Sequence, residues 1–448
     1  MSAIVLTASD RTRLRRSHPS LFNPGIFKRW GGLMLIAGAL AYLIYGWAFF
    51  DIGRTLSDGK WERAGIYMAD WISWEAQPRY RFQPDGSLQI EHQRFSPLGE
   101  NPDTDWMTTL PDGREEVTFG SSANRVEIGT TDVVAVVDDV PYEIVFANEN
   151  AVLPVNAPAA FSEKNGRVTV SFGFAGSAEI RSTQVLVRRR FFGWENFVFD
   201  TTSPFWGMSL PELWSTIASG PQIEPDQSNL TLAWHEFLTN SEWQHGDVLN
   251  KLLQTIVMAF VGTLFAATLA FPLAFIAARN VTNSRPMNWI TKRFFDFTRS
   301  VDMLIWALVF TRGFGPGPLA GIAAIFVTDT GTFGKLYSEA IENIDDKQRE
   351  GVRSVGASAA DVNRFGVVPQ IAPVVISQTL YFWEANIRGA TIIGAVGAGG
   401  IGLKLLEAMR TNQDWENVAY MVLLILIVVF VFDNISNALR TRLIGKSQ

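Results

Sequence analysis

The sequence predicts an α-helical, multi-pass membrane protein with about six transmembrane helices and a β-rich domain inserted after the first helix. Two observations predict this fold class. Hydrophobic residues make up 47% of the 448 residues and charged residues only 18%, and the apolar residues are grouped into long runs. Between the first and second runs, the pattern changes to short alternating stretches that are typical of β-strands.

The apolar runs predict the spans, since about twenty helical residues rising about 1.5 Å each cross a hydrocarbon core. The third and fourth predicted spans are the least apolar, because they contain Asp302, Arg312 and Asp329. The six predicted spans are residues 30–50, 249–278, 294–314, 316–341, a segment from just after Pro369 to residue 396, and residues 415–439.

Basic residues predict the orientation of the spans, because Lys and Arg are concentrated on the cytoplasmic side. The tail before the first span, the loop after the second and the C-terminus are all basic, and six crossings put them on one side. We therefore expect both termini to be cytoplasmic and residues 51–248 to be extracytoplasmic. A retained anchor is favoured over a cleaved signal peptide, since the triplet Ala39-Leu40-Ala41 lies inside the first apolar run.

The composition excludes several kinds of chemistry. The chain has no cysteine, which excludes disulfides, thiol catalysis and thiolate metal sites. None of its four histidines is paired at a spacing typical of metal ligands, so we expect no metal site. No nucleic-acid partner is expected, and the net charge of −6 says little, because local charge placement orients a membrane protein.

Residues 51–204 are predicted to form the extracytoplasmic β-rich domain. Alternating stretches such as RVEIGTTDVVAVV are separated by turn sequences such as Asn165-Gly166, a combination typical of a small antiparallel sandwich. Three consecutive arginines at residues 188–190 predict either a patch that contacts an anion or a partner, or a solvated edge strand. The edge strand is favoured.

Residues 205–248 are predicted to be interfacial linker helices. The sequence from Ser209 to Glu212 is typical of a capping box at the start of a short helix. Four tryptophans suit a membrane–water boundary, with packing inside the protein as the alternative. They are Trp206, Trp214, Trp234 and Trp243.

A polar segment punctuated by glycine separates the fourth and fifth apolar runs. Three residues define its spacing: Glu350, Gly356 six residues later and Pro369 thirteen residues after that. Charged sequence between membrane spans must lie in water, where it predicts either a docking site for another protein or an ordinary cytoplasmic loop.

This segment resembles the EAA loop of ABC-importer permeases, which grips the ATPase subunit and has the pattern E-A-A-x3-G-x9-I-x-L-P. Gly351 and Val352 stand in place of the two alanines, Gly366 in place of the isoleucine and Val368 in place of the leucine. The spacing is kept without a gap. The resemblance implies an EAA-type coupling loop at residues 345–369 in which the coupling residues are Glu350, Gly351, Gly356 and Pro369.

From about residue 210 to residue 442, the chain resembles the permease subunit of phosphonate ABC importers. The matching segments are TIVMAFVGTLFAATLAFPLAF, GKLYSEAIENI, EGVRSVGASAADVNRFGVVPQIAP and ATIIGAVGAGGIG. The resemblance implies the type I importer permease fold over residues 249–442, cytoplasmic tails at residues 1–29 and 443–448, and the bacterial inner membrane. The predicted extracytoplasmic region, residues 51–248, is much longer than the modest outer loop that follows the first span in this family.

The resemblance also implies a function and a set of partners. The chain would form the translocation pathway for phosphonate or a related small phosphorus oxyanion, and would bind no cofactor itself. Its partners would be a pair of ATP-binding subunits that use ATP and Mg, a second permease copy or paralogue, an extracytoplasmic phosphonate-binding protein and membrane lipid. No G-x4-G-K-[ST] motif occurs in the chain, so a separate subunit must hydrolyse ATP.

Gly397, Gly399 and Gly402 spell G-x-G-x-x-G, with Gly400 between them. A dinucleotide site is excluded, because a membrane span and not a strand precedes the motif. The glycines predict either a hinge or gate at the outer end of the fifth span, or a tight turn between spans.

Charged side chains within spans are costly in lipid and usually face a pore or a partner. Glu384 and Arg388 stand four residues apart on one helical face, so they can pair. Two interpretations follow: Arg388 lines the translocation pathway, or it forms a fixed buried pair with Glu384 or Asp329. The buried pair is favoured.

Two other classes of function fit the sequence less well. A membrane-anchored sensor or structural protein with an extracytoplasmic β-sandwich would need a cytoplasmic output domain, and the predicted tails are short. An intramembrane enzyme would need paired carboxylates or a histidine cluster, and Asp302 and Asp329 are its only weak candidates. The permease is therefore favoured.

Overall fold

The computed structural model describes residue 17 and residues 26–59, 61–92, 104–147, 150–411 and 415–444. The chain divides into two compact units, residues 1–66 and 67–448. The predicted cytoplasmic tails lie largely outside the described residues. Only residue 17 and the start of the first helix are described at the N-terminus, and the last helix includes residues 443 and 444.

The first unit contains the helix predicted as the first span. Helix α1 runs over Ile26–Phe49, and its large apolar side chains are mostly exposed, as expected for a helix surrounded by lipid. Helix α2 follows at Ile52–Ser57, and helix α3, Trp61–Asp70, continues into the second unit.

The β-rich domain consists of two antiparallel sheets of seven and six strands in the described part of the chain. One sheet has the order β10-β11-β12-β13-β2-β3, with β1 also paired to β13, and the other runs from β4 to β9 in sequence order. The strands are Ser73–Ala76 (β1), Arg79–Phe82 (β2), Leu88–Glu91 (β3), Met107–Thr109 (β4), Glu115–Phe119 (β5), Ser121–Ile128 (β6), Val133–Val137 (β7), Val140–Ala147 (β8), Asn150–Val152 (β9), Phe161–Lys164 (β10), Arg167–Ser171 (β11), Gly176–Ile180 (β12) and Gln184–Phe192 (β13).

Both sheets contribute to one core, in which Tyr80, Val126 and Val168 are fully buried. The predicted turn at Asn165-Gly166 is present, and both residues have positive φ, of 55° and 71°. Alternation of inward apolar and outward polar residues therefore predicted this domain correctly.

The prediction of a solvated edge strand for residues 188–190 is wrong. Strand β13 pairs with β12 on one side and with β1 and β2 on the other. The Arg190 side chain is buried, and its guanidinium lies 2.6 Å from carboxylate oxygens of both Asp70 and Glu75. The paired acids allow this arginine to occupy an interior strand.

Two short helices follow the domain, α4 at Leu210–Ser219 and α5 at Asn229–Thr239. The predicted capping box is present at the start of α4, where the Ser209 backbone nitrogen donates to the Glu212 carboxylate at 2.9 Å. Trp243 is buried, so it is a packing residue. Trp206, Trp214 and Trp234 are exposed.

The remaining helices form the bundle with the long apolar segments and the polar segment between two of them. They are His245–Ala277 (α6), Arg285–Ser300 (α7), Met303–Phe314 (α8), Pro318–Glu342 (α9), Asp346–Ser354 (α10), Ala359–Asp361 (α11), Val368–Ile393 (α12), Gly400–Thr411 (α13) and Trp415–Ile444 (α14), with π-helical stretches at Val362–Val367 and Gly394–Ala398. Helix α6 begins at His245, so the predicted linker, residues 205–248, ends a few residues too late.

Four helical segments in the described residues are long and apolar enough to cross a membrane: residues 30–49, 245–277, 359–398 and 415–443. They correspond to the first, second, fifth and sixth predicted spans. The fifth starts earlier than predicted, because the π-helical stretch carries the helix through to Pro369, whose missing N–H then falls in the first turn of α12.

The third predicted span, residues 294–314, is wrong as a single helix. The helix ends at Ser300 and a new one begins at Met303, because the Asp302 carboxylate caps α8 by accepting a hydrogen bond from Leu304 N at 2.8 Å. The fourth predicted span is the continuous helix α9.

Candidate functional site

The predicted coupling loop folds as two helices joined by a turn. Asp345 caps α10 by accepting from Lys347 N at 3.0 Å, and Ser358 caps α11 by accepting from Asp361 N at 3.3 Å. Between them, Gly356 has a φ of +82°, which explains a glycine at this position.

This helix–turn–helix segment is exposed. Glu350, Gly351 and Gly356 all lie on the surface, and no atom approaches within 4 Å of the point where a Cβ on Gly356 would stand. Two large apolar side chains are also exposed in this polar segment, Val355 at 82% and Phe365 at 60%. The segment therefore offers a short helix and two apolar contacts to a partner.

Gly366, which stands in place of the isoleucine in the EAA pattern, fixes the segment to the fifth span. A Cβ at this buried glycine would lie 3.3 Å from the Cα of Arg349, so its absence lets α10 lie close by. The Gln370 amide donates to the Gly366 carbonyl at 2.6 Å, and its oxygen accepts from Asp345 N at 3.1 Å. No local pattern around Gly366 predicted this contact.

Asp329 is buried in the helix bundle and does not pair with Arg388, so that alternative is wrong. Its carboxylate accepts a hydrogen bond from the Asn386 amide at 2.5 Å, and the same amide nitrogen donates to Thr263 Oγ1 at 2.8 Å. All three side chains are buried. Asn386 and Thr263 were missed, because each is a single uncharged polar residue in an apolar run.

Glu384 and Arg388 form the predicted ion pair, with an N–O distance of 2.8 Å. The Glu384 side chain is 6% exposed and that of Arg388 is 49% exposed. Arg440 of α14 lies at 4.0 Å from the other Glu384 oxygen. The pair therefore joins a buried carboxylate to a guanidinium that reaches the protein surface.

The glycine-rich motif forms a tight turn between α12 and α13. Gly397, Gly399 and Gly400 have φ values of 105°, 81° and 70°, a region that favours glycine. The carbonyl of Gly397 accepts from Gly317 N at 3.0 Å, which ties the turn to the α8–α9 loop. Gly402 packs on the carbonyl of Thr391 without room for a Cβ. The hinge or gate stays a prediction.

The segment after β13 is attached near the N-terminal ends of two long apolar helices, α6 and α14. Trp243 Nε1 donates to the Glu195 carbonyl at 2.9 Å. The two ring nitrogens of His245 lie 2.6 Å from the Phe197 carbonyl and 2.9 Å from the Tyr420 hydroxyl. His245 is fully buried among aromatic rings and links the β-rich domain to α6 and α14. Isolated aromatic residues far apart in the sequence did not predict this cluster.

Comparison with known proteins identifies similar chains. Residues 270–445 match the family described as binding-protein-dependent transport system inner membrane component, a match that leaves out the β-rich domain. The phosphite transport system permease protein PtxC of Stutzerimonas stutzeri is 35% identical over 192 residues, 43% of this chain and 70% of that protein. The phosphate-import permease protein PhnE of Mycolicibacterium smegmatis is 34% identical over 198 residues, 44% of this chain and 37% of that protein. A solved inward-facing MetNI methionine ABC transporter chain is 18% identical, with a TM-score of 0.40 over 44% of this chain and 95% of that one.

Proposed function

Because this chain belongs to the family of binding-protein-dependent transport system inner membrane components, as a permease of the phosphonate type, we propose that it forms the translocation pathway of an ATP-driven importer for phosphonate or a related small phosphorus oxyanion. The observation that carries this proposal is the exposed helix–turn–helix segment of α10 and α11, which keeps the spacing of a coupling loop. The chain is a transport permease, and a separate subunit hydrolyses ATP.

The proposed complex contains two ATP-binding subunits that use ATP and Mg, a second permease copy or paralogue, and an extracytoplasmic binding protein that delivers the oxyanion. ATP binding would close the ATPase pair and shift the bundle between its inward-facing and outward-facing states. Glu350, Gly351 and Gly356 would contact the ATPase, and Pro369 would anchor the segment at the start of α12. The glycine turn that begins at Gly397 would act as the outer gate.

The proposed topology in the bacterial inner membrane keeps six crossings. The broken pair α7 and α8 together would make the third crossing, and α9 the fourth, since its 25 residues rise about 37 Å. Both termini would then be cytoplasmic, and the β-rich domain of residues 51–204 and the linker helices would lie outside. The hydrogen bonds around His245 support a domain held against the outer ends of α6 and α14.

The experiment has two parts. A tagged copy of the full chain is purified from native membranes, and the co-purifying subunits are identified by mass spectrometry. Uptake of labelled phosphite, phosphate and a simple alkylphosphonate is then measured in cells that lack the gene and in cells with the gene restored. A co-purified P-loop ATPase and gene-dependent uptake of one oxyanion support the proposal. An isolated chain that hydrolyses ATP, or uptake that is independent of the gene, overturns it.

A further inference from the structure

Helix α7 has three faces with different chemistry. Its buried face packs on α9, where Gly334 leaves space for the Phe295 ring and Gly331 leaves space for the Thr298 hydroxyl. A Cβ on either glycine would collide with its neighbour. The two helices therefore lie in close contact, and the other two faces of α7 are left open.

The second face is apolar and exposed. Met287, Ile290, Phe294 and Phe297 follow each other at spacings of three and four residues, so they form one row along the helix. Their exposed fractions are 50%, 59%, 44% and 60%. Although the Phe297 ring packs edge-on against Trp306 at 6.2 Å, all four side chains stay about half exposed, which suits the hydrocarbon of a membrane.

The third face is charged, and it lies on the other side of the buried face. Arg293 and Arg299 flank Asp296 at spacings of three residues, with N–O distances of 3.2 and 3.0 Å. The two guanidinium groups are 62% and 44% exposed. Lys335 of α9, which pairs with Glu339 at 3.3 Å, also acts electrostatically on Asp296. The charged face therefore carries more cations than anions.

The contacts with α9 give the depth of this face. Lys292, in the middle of α7, pairs with Glu342 at the C-terminal end of α9 at 2.7 Å. Thr298, six residues further on, lies against Gly331, which is near the middle of α9. The 11 residues from Gly331 to Glu342 correspond to about 16 Å of helix. If α9 crosses the membrane as proposed, Arg299 lies about half way through it.

Charges at that depth are too costly to face lipid, and the apolar row already offers a separate face for lipid. Building on the proposed function, we infer that the charged face of α7 lines the water-filled inner half of the translocation pathway and that Arg293 and Arg299 contact the oxyanion as it passes. Asp296 forms ion pairs with both guanidinium groups and competes with the oxyanion for them. The arginines therefore bind the oxyanion weakly enough to release it, as conduction requires.

The absence of cysteine allows a direct test of the two open faces. Ser300 lies seven residues after Arg293 on the charged face, and Phe297 lies seven residues after Ile290 on the apolar face. We expect Ser300→Cys, in membranes containing the full chain, to react with a charged membrane-impermeant methanethiosulfonate, and Phe297→Cys to be unreactive. Equal rates, or a faster reaction at Phe297→Cys, overturn the inference. This test does not depend on transport.

Uptake tests the contact with the oxyanion. We expect Arg299→Gln to lower the maximal uptake rate about tenfold, the effect of one lost charge-assisted contact, and Arg299→Lys to retain most of it. The control is Arg81→Gln, since Arg81 is 45% exposed and pairs with Glu91 at 3.1 Å in the β-rich domain. Wild-type uptake by Arg299→Gln overturns the inference. Cells with the wild-type gene that import no phosphorus oxyanion overturn the proposed function instead, while the labelling pattern still reports which face meets water.

Discussion

Asp200 accepts two hydrogen bonds from Ser241, one from the backbone nitrogen at 2.8 Å and one from the hydroxyl at 2.7 Å. Its second oxygen accepts from the backbone nitrogen and the hydroxyl of Thr202, at 3.1 and 2.7 Å. Asp200 follows the last strand, and Ser241 shortly precedes α6. One buried carboxylate therefore ties the end of the β-rich domain to the turn that precedes α6.

This contact predicts a dependence of stability on pH. Burial raises the pKa of Asp200, but the hydrogen bonds from Ser241 and Thr202 lower it by more, so the pKa lies below its usual value in the folded protein. The ionised Asp200 carboxylate therefore stabilises the folded protein at any pH above its unfolded pKa of about 3.9. This stabilisation is lost as the pH falls through the lower pKa of the folded protein. Asp200→Ala should lower the free energy of unfolding by about 2 kcal/mol at pH 7.

Thermal unfolding of the purified chain in detergent, followed by tryptophan fluorescence between pH 7 and pH 3, measures this effect. The difference in Tm between wild type and Asp200→Ala should shrink only below about pH 4. Asp226→Ala is the control, because Asp226 is an exposed acid between α4 and α5. A difference that persists unchanged at pH 3 contradicts the assigned role of the carboxylate.

A second prediction concerns the coupling segment. Gly356→Asp adds a charge and a side chain at a positive φ on an exposed turn, so it should abolish uptake while the protein stays in the membrane at normal abundance. Gly86→Asp is the matched control. Gly86 stands on an exposed turn of the β-rich domain with a φ of +81° and open space around it, so the same change should leave uptake intact. Normal uptake by Gly356→Asp would show that this turn does not dock the ATPase.

The sequence predicted features that depend on local pattern. Apolar runs, strand alternation, the turn at Asn165-Gly166 and the capping box at Ser209 each follow from a few neighbouring residues. The break at Asp302 was also encoded locally, but its charge was interpreted as one buried at membrane depth and not as a helix cap. A capping carboxylate and a buried one look alike in a sequence until the backbone around them is known.

Other features could not be predicted, because they depend on which helices meet. In the sequence, Gly331 and Gly334 suggest a span with lowered helix stability, but in the fold they are the positions where α7 packs on α9. In the sequence, Arg190 resembles a surface residue, because Glu75 of β1 and Asp70 of α3, which pair with it in the fold, are far away along the chain. Contacts of this kind depend on tertiary placement, which spacing in one chain does not determine.

A third prediction concerns the buried contact between Asn386 and Asp329. Asn386→Leu removes the only hydrogen-bond donor that the described structure gives to the Asp329 carboxyl, and it should lower stability by about 3 kcal/mol. The double variant Asp329→Leu with Asn386→Leu should recover much of this loss, since replacing both polar partners leaves neither unsatisfied. A double-mutant cycle of thermal stability in detergent measures the coupling. Additive losses would mean that the two side chains do not stabilise each other.

The last prediction separates the two interpretations of Arg388. Its guanidinium neutralises the buried carboxylate of Glu384, and the only other cation close to Glu384 in the described residues is Arg440 at 4.0 Å. Arg388→Gln should therefore destabilise the bundle by about 1–2 kcal/mol, less than a fully buried pair because Arg388 is half exposed. Arg388→Lys keeps the charge and serves as the control.

Complex assembly by co-purification and oxyanion uptake are measured on the same membranes. We expect Arg388→Gln to lower the yield of assembled complex, with uptake falling in proportion, because the buried Glu384 carboxylate would then have only Arg440 of α14, at 4.0 Å, as a cation nearby. Normal assembly with poor uptake would instead assign Arg388 to the translocation pathway. Normal assembly and normal uptake would contradict both roles.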